Sequence, residues 1–383
     1  MTAWPPLPQD SLVPEIEDAA RQLRLAARYR ALDLEPAFPW EEFRGLGKAR
    51  LLGLRTPRKL GGRGLPLPRV GIGLFHLGYL GGTTFAKLSL QPEFSSVLAD
   101  HGSEELVDRY FRKMVRGESL VGNHVTEPGA GSDLSGLATV AERSRGGYVL
   151  TGTKTEAAFA EDAEAAIVYA RVKEGSRVQE AVTGFLVPLD APGISRSVIP
   201  DLGERWMRRG TVRYDHVTIP RGFRLGEEGE AFRYLVPELL RERALLACIY
   251  LGVARKSWEE TVEHTGGRSA FGRPLSAQEA VAFPLVEDWA RCDAAWLYAQ
   301  QALADMGSGR PVPAQAALAK WMATDAALTT LDHAIQFHGG RGYSGDLPHE
   351  QRWRDVRSGA IAHGSSEIMH VVAAHTLWPR ARK

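Results

Sequence analysis

Hydrophobic positions recur with a helical period through the first third of the chain. In SLVPEIEDAARQLRLAARYRAL, which begins at Ser11, Ile16, Leu23 and Leu32 fall on roughly one stripe, and further helical patterns cover about 41–53, 84–101 and 103–116. Glycines at 61, 62, 64, 81 and 82 punctuate the connections. The texture changes near residue 119. SLVGNHVTE, GLATVAER, YVLTGTKT, AAIVYARV, VTGFLVPL and VRYDHVTIP are short stretches rich in Val, Thr, Tyr and Ile. Turn residues lie between them (Arg-Gly-Gly at 145–147, Ala-Pro-Gly at 191–193), and the whole predicts an antiparallel β domain. From about 227 the helical period returns near 228–265, 277–306, 313–337 and 366–378. The expected architecture is α+β: an N-terminal helical domain over 1–118, a middle β domain over 119–226 and a C-terminal helical domain over 227–383. No internal repeat, low-complexity segment or long linker interrupts it.

Composition narrows the function classes. With Lys+Arg 47 against Asp+Glu 46 the net charge is +1, so no overall field favours nucleic acid or an anionic membrane. The longest uncharged apolar run, ALLACIYLGVA at 244–254, is too short to span a bilayer. The N-terminal MTAWPPLPQD has neither the basic nor the apolar region of a signal peptide. Cys248 and Cys292 sit in helix-like apolar runs and read as buried thiols rather than as a disulfide or metal site. A soluble cytoplasmic protein is expected. Neither H-E-x-x-H nor G-x-S-x-G occurs, so metal hydrolysis and Ser-triad chemistry have no support.

Four short motifs carry the candidate chemistry. VTEPGAGSD at 125–133 follows a strand, with Gly129 and Gly131 free to approach a flat ligand or take positive φ, and Thr126 and Ser132 as hydroxyl donors. It is not a nicotinamide fingerprint, because Gly136 comes two positions late and a strand rather than a helix follows. RSAFGRP at 268–274 offers the Arg268 guanidinium to a phosphate. In QFHGGRGY at 336–343, Gly339 or Gly340 can cap the preceding helix, but three glycines in four positions exceed what one cap needs. In HGSSEI, Gly364 or Ser365 can act as N-cap and Glu367 is a first-turn acid, at a helix start whose N–H groups attract phosphate or carbonyl oxygens.

Taken in order on an α–β–α chain, these motifs resemble those of the acyl-CoA dehydrogenase flavoproteins, and the likeness runs over nearly the whole sequence. The resemblance implies FAD bound between the β domain and a C-terminal four-helix bundle. It places Val125 and Thr126 beside the flavin ring, and Ser132 near the flavin and the acyl-CoA pantetheine. Arg268 and Phe271, with Gln278 on the next helix, match residues that reach the FAD of a neighbouring subunit. Gln336, Gly339 and Gly340 match the loop along the ADP part of that shared cofactor, and Ser365 and Glu367 match residues that hold the adenylate and pyrophosphate. A homodimer or dimer of dimers is implied, with an electron-transfer flavoprotein as the usual acceptor.

Four positions depart from the family pattern. GTKTEAAF puts Glu156 where a Trp is usual, Ala158 where a Thr bonds flavin N5, and Phe159 where an Asn is usual. The lost N5 donor should alter the flavin's potential, and the lost Trp bears on exchange with the acceptor flavoprotein. Finally, His363 stands where many members carry the glutamate that removes the α-proton.

A subset of the family instead carries its base on the long helix just before an Arg, and here Glu242 precedes Arg243, whose family counterpart contacts the acyl-CoA. Positions 242, 245, 246, 249, 252 and 253 share one helical face, and all but Glu242 are Leu, Ile, Gly or Val. A carboxylate on such a stripe loses its water, which raises its pKa toward the working pH. His363, with Gly364 beside it in the thioester slot, is the competing base, or otherwise a slot-shaper or hydrogen-bond partner. The expected activity is α,β-dehydrogenation of an acyl-CoA with Glu242 as base. The alternatives are a flavin oxidase or a biosynthetic enzyme acting on a carrier-protein thioester, and a non-catalytic flavoprotein.

Overall fold

The computed structural model describes residues 6–172 and 178–378; the opening MTAWP and both extreme ends of the expected domain division lie outside them. The chain divides into two compact units, one formed by residues up to Asp33, Leu65–Leu88 and Leu240 onward, the other by Leu34–Gly64 and Ser89–Leu239. The N-terminal helical region therefore contributes to both.

The first unit is helical. Its long helix Ala231–Gly267, whose opening turns belong to the other unit, buries Leu245, Leu246, Ile249 and Val253 completely. This is the apolar stripe expected around Glu242. A second helix, Leu67–Phe94, starts well before the predicted 84. Its glycines hid it from a pattern reading, yet they are what lets it pack. A Cβ on Gly78 would lie 2.6 Å from the Ile249 carbonyl oxygen, and one on Gly252 would lie 2.1 Å from that of Phe75. The two backbones touch there, which only glycine allows. Gly82 breaks the helical path with φ 67 and ψ −170. Further helices of this unit, Glu279–Gly307, Pro313–Phe337, His349–Arg357 and Ser366–Leu377, fall within a few residues of expectation where one was made. Pro313–Phe337 packs on its neighbours through buried alanines, among them Ala316, Ala319, Ala323 and Ala327.

The second unit holds strands β1 (Val121–His124), β2 (Val140–Ser144), β3 (Gly147–Ala157), β4 (Ala165–Arg171), β5 (Val182–Pro188), β6 (Ile194–Val198), β7 (Gly210–Pro220) and β8 (Arg224–Leu225). Among the described residues they form one sheet in the order β6-β7-β3-β2-β4-β5-β8, with β1 paired to β4. The expectation of a purely antiparallel domain needs correction. β1 and β4 run parallel from Val121↔Ala165 to His124↔Val168, because the chain leaves β1, makes the β2–β3 hairpin, and returns in the same direction. β4 and β5 are buried almost throughout, as their unbroken apolar runs require, while β7 alternates.

No helix among the described residues is long and apolar enough to cross a membrane. Both cysteines are free thiols, and no cluster of His, Cys, Asp and Glu among the described residues could hold a metal ion.

Candidate functional site

In the sheet unit, the VTEPGAGSD turn is held from beneath by a residue to which the sequence reading gave no role. The fully buried ammonium of Lys154 donates to the Val125 carbonyl at 2.9 Å and to the Glu127 carboxylate at 2.7 Å. Glu127 also accepts from the amides of Ala138 and Thr139, and the Thr126 carbonyl accepts from Thr155. Burial pushes the Lys154 amine down to about 8 against the opposing pull of Glu127. Val125 and Thr126 are thus fixed through their backbone. Gly129 and Gly131 do not take positive φ, and a Cβ on either would meet nothing within 4 Å. What these glycines provide is an open surface; Ser132, beside them, is exposed.

The three unusual positions at the end of β3 have distinct fates. The strand slips register between Lys154 and Ala157, and Glu156 takes φ 55 and pairs with Arg209 at 2.8 Å. Phe159 turns into the core, where it meets the rings of Phe38 and Trp206. Ala158, between them, is half-buried and has no side-chain donor.

In the helical unit, the two candidate bases meet. His363 Nδ1 lies 2.9 Å from Glu242 Oε2, although 121 residues separate them. An ionised carboxylate only accepts, so Nδ1–H is the donor of this bond. The Glu242 side chain is 2% exposed and that of His363 27%. His363 has φ 53, a left-handed conformation costing a non-glycine residue about 1 kcal/mol. Arg243 is committed here as well, its Nε donating to the His363 carbonyl at 3.0 Å. Gly364 takes φ 93, a conformation that favours glycine, and a Cβ there would displace the end of the Met369 side chain, 2.6 Å away. Of the two N-cap candidates the structure uses Ser365, whose hydroxyl accepts from the Ile368 amide, while Glu367 is exposed in the first turn. The Ser365 hydroxyl holds the Glu367 carboxyl below its usual range.

A third cluster of the expected residues gathers around a cavity of about 780 Å³ in the same unit. Arg268, Gly339 and Gly340 line it, joined by His264, His338 and Arg341, which the sequence reading had not assigned. Gly339 adopts φ 60 and ψ −137, a conformation reserved for glycine, and neither it nor Gly340 has an atom within 4 Å of where a Cβ would stand. The imidazoles of His264 and His338 stack at 4.2 Å. Burial, then the neighbouring His338, Arg341 and Arg268, lowers His264, so near pH 7 the positive charge of the cavity comes from its arginines. Two guanidiniums, flat rings and open glycines suit an adenosine diphosphate moiety. The remaining expected residues do not line this cavity. Phe271 stands 98% exposed at the tip of a small hairpin, Gln336 is exposed on the last helical turn, and Gln278 braces the hairpin by bonding Arg273 and the Ala270 carbonyl.

Comparison with known proteins accords with this layout. Family models match in chain order: acyl-CoA dehydrogenase N-terminal domain over residues 12–118, middle domain over 122–217 and C-terminal domain over 229–377. Benzylmalonyl-CoA dehydrogenase of Aromatoleum aromaticum is 33% identical over 92% of this chain and 93% of its own length. The mitochondrial short-chain specific acyl-CoA dehydrogenase of Mus musculus is 30% identical over 90% of this chain and 84% of its own. Among solved structures, an acyl-CoA dehydrogenase from Geobacillus kaustophilus superposes with a TM-score of 0.91 at 24% identity, covering 97% of this chain and 99% of that one.

Proposed function

Given that this chain belongs to the acyl-CoA dehydrogenase family, we propose that it performs FAD-dependent α,β-dehydrogenation of an acyl thioester, with Glu242 as base and His363 as its orienting partner. The observation that carries this reading is the Glu242–His363 hydrogen bond on an otherwise apolar helix face. Bound FAD supplies the acceptor for the β-hydride. The Glu242 carboxylate takes the α-proton; the electron pair of that C–H bond becomes the Cα–Cβ double bond as the β-hydrogen leaves with its own pair. His363 holds one carboxylate oxygen and so limits the orientations Glu242 can take.

The residues suited to hold FAD are Arg268, Gly339 and Gly340 at the cavity, Ser365 and Glu367 at the helix start, and Val125, Thr126, Ser132 and Ala158 on the sheet unit. Of these, Arg268, Gly339 and Gly340, together with Phe271 and Gln336, would meet the FAD of a neighbouring copy, with Gln278 keeping the hairpin in place. A homodimer or dimer of dimers sharing the site fits the exposure of Phe271, and of Phe283, Val286 and Leu297 along helix Glu279–Gly307. In the helical unit Arg243 and Gly364 are the residues proposed for the thioester; in the sheet unit Ser132 is. Glu156, paired with Arg209, replaces the aromatic expected where the acceptor flavoprotein docks, and argues for a different or weaker partner there.

One observation favours a second reading, in which His363 Nε2 is the base and Glu242 orients it. The His363 side chain is the more exposed of the two. The experiment that tests the function is anaerobic mixing of the FAD-loaded protein with a panel of acyl-CoAs, followed by analysis of the thioester. Flavin bleaching with formation of an enoyl thioester is expected. A flavin that no acyl-CoA or acyl-carrier thioester bleaches would overturn the activity, and rapid oxygen consumption without added acceptor would identify an oxidase.

A further inference from the structure

Beneath the loop that carries His363, a buried lysine takes no part in the chemistry described above. Lys320, on helix Pro313–Phe337, is 1% exposed, and its amine lies 2.5 Å from the Ala362 carbonyl oxygen and also donates to that of Gly364. The carbonyl between these two, that of His363, is taken by Arg243. Three consecutive carbonyls are therefore satisfied by two side chains from two different helices. The residue in the middle is the one forced to φ 53, and its successor has φ 93.

Turns with two successive positive φ values form readily only in glycine-rich segments, and left alone an Ala-His-Gly-Ser stretch would sample many others. Carbonyls held by a buried amine lose that freedom, because a turn that moved away would leave the buried Lys320 amine without acceptors. The clamp does not depend on charge. A neutral amine retains two N–H bonds, one for each carbonyl, and an ammonium adds a third.

We propose that Lys320 is a positioning residue: by holding the Ala362 and Gly364 carbonyls it fixes the left-handed turn that sets His363 against Glu242. The inference deepens the dehydrogenase reading and rests on it for its catalytic consequence, while its structural part stands alone. Its geometric basis lies wholly within the helical unit.

The test uses the full-length FAD-loaded protein with Lys320→Met, which keeps the side-chain length without donors, and Lys320→Gln, which restores N–H donors on a shorter arm. Hydrogen exchange followed by mass spectrometry reads the peptide over 358–369. In Lys320→Met its amides should exchange at least about tenfold faster, with helices Glu279–Gly307 and Ala231–Gly267 as protected as in the parent and the FAD content unchanged. Flavin reduction by a bleaching acyl-CoA should slow about ten- to a hundredfold, while the concentration giving half the maximal rate moves less than about threefold. Lys320→Gln should fall between parent and Met in both measurements, and decides the matter alone if the Met variant is insoluble. Unchanged exchange over 358–369 would overturn the proposal, as would faster exchange spread evenly through the unit, or a loosened turn with an unaltered reduction rate. If the parent flavin is bleached by no thioester, the activity falls, and the exchange measurement still decides whether Lys320 holds the turn.

Discussion

Three residues at and just past the end of β3 show how closely spaced side chains divide their work. Glu156 faces outward to Arg209, Phe159 fills the core, and Ala158 is left with no hydroxyl to offer a flavin. Restoring that donor with Ala158→Thr should change the rate of flavin reduction or the preferred electron acceptor, since one hydrogen bond favouring one redox state is worth on the order of 1 kcal/mol. Stopped-flow absorbance with two acceptors measures it, and identical rates with both would show the alanine to be neutral. Lys320 makes a second residue-scale prediction. Burial first, then the charges of Arg243 and Lys87, push its amine from 10.5 down to about 7. Between these values the unfolded chain keeps a proton that the folded chain has released, so the destabilisation is complete below pH 7 and is relieved as pH rises toward 10.5. The parent should therefore gain urea stability relative to Lys320→Met from pH 7 to 9.5, by at most about 1.4 kcal/mol per pH unit. A difference that stays flat across this range would contradict the shift. Motif residues such as Ser365 and Arg268 could be read directly, whereas Lys154 and Lys320 could not. Their roles depend on carbonyls 29 and 42 to 44 residues away, a pairing that no local pattern encodes.

At the level of elements, the long helices were legible because their apolar stripes repeat for many turns, and helix Leu67–Phe94 was not, because its glycines serve contact between backbones. The parallel pairing of β1 with β4 escaped for a related reason: alternation along a strand reports which face is buried and is silent on direction. The 339–340 loop and the helix end at Arg268 read as separate weak signals in sequence and become one cavity in the fold. A prediction belongs to that convergence. Arg268→Ala should lower the FAD retained after gel filtration several-fold while leaving the thermal unfolding of the apoprotein within about 1 °C, because an exposed guanidinium contributes little to the fold and a forked partner to a phosphate. Full FAD retention would remove Arg268 from the cofactor site.

For the molecule as a whole, the order of helical, β and helical regions and the spacing of four motifs carried the family assignment, which the family models bear out over most of the chain. The balance between two possible bases was not legible at that scale, since it turns on whether two distant side chains meet; the structure puts them 2.9 Å apart. The central claim is that Glu242 removes the α-proton. It is tested most directly by single-turnover flavin reduction in Glu242→Gln, which keeps the shape and removes the proton acceptor. The variant should still bind FAD and acyl-CoA while reduction slows by roughly two to four orders of magnitude, and His363→Ala should be milder. A Glu242→Gln variant that reduces flavin at the parent rate, beside a His363→Ala variant that does not reduce it at all, would contradict the account and make the histidine the base.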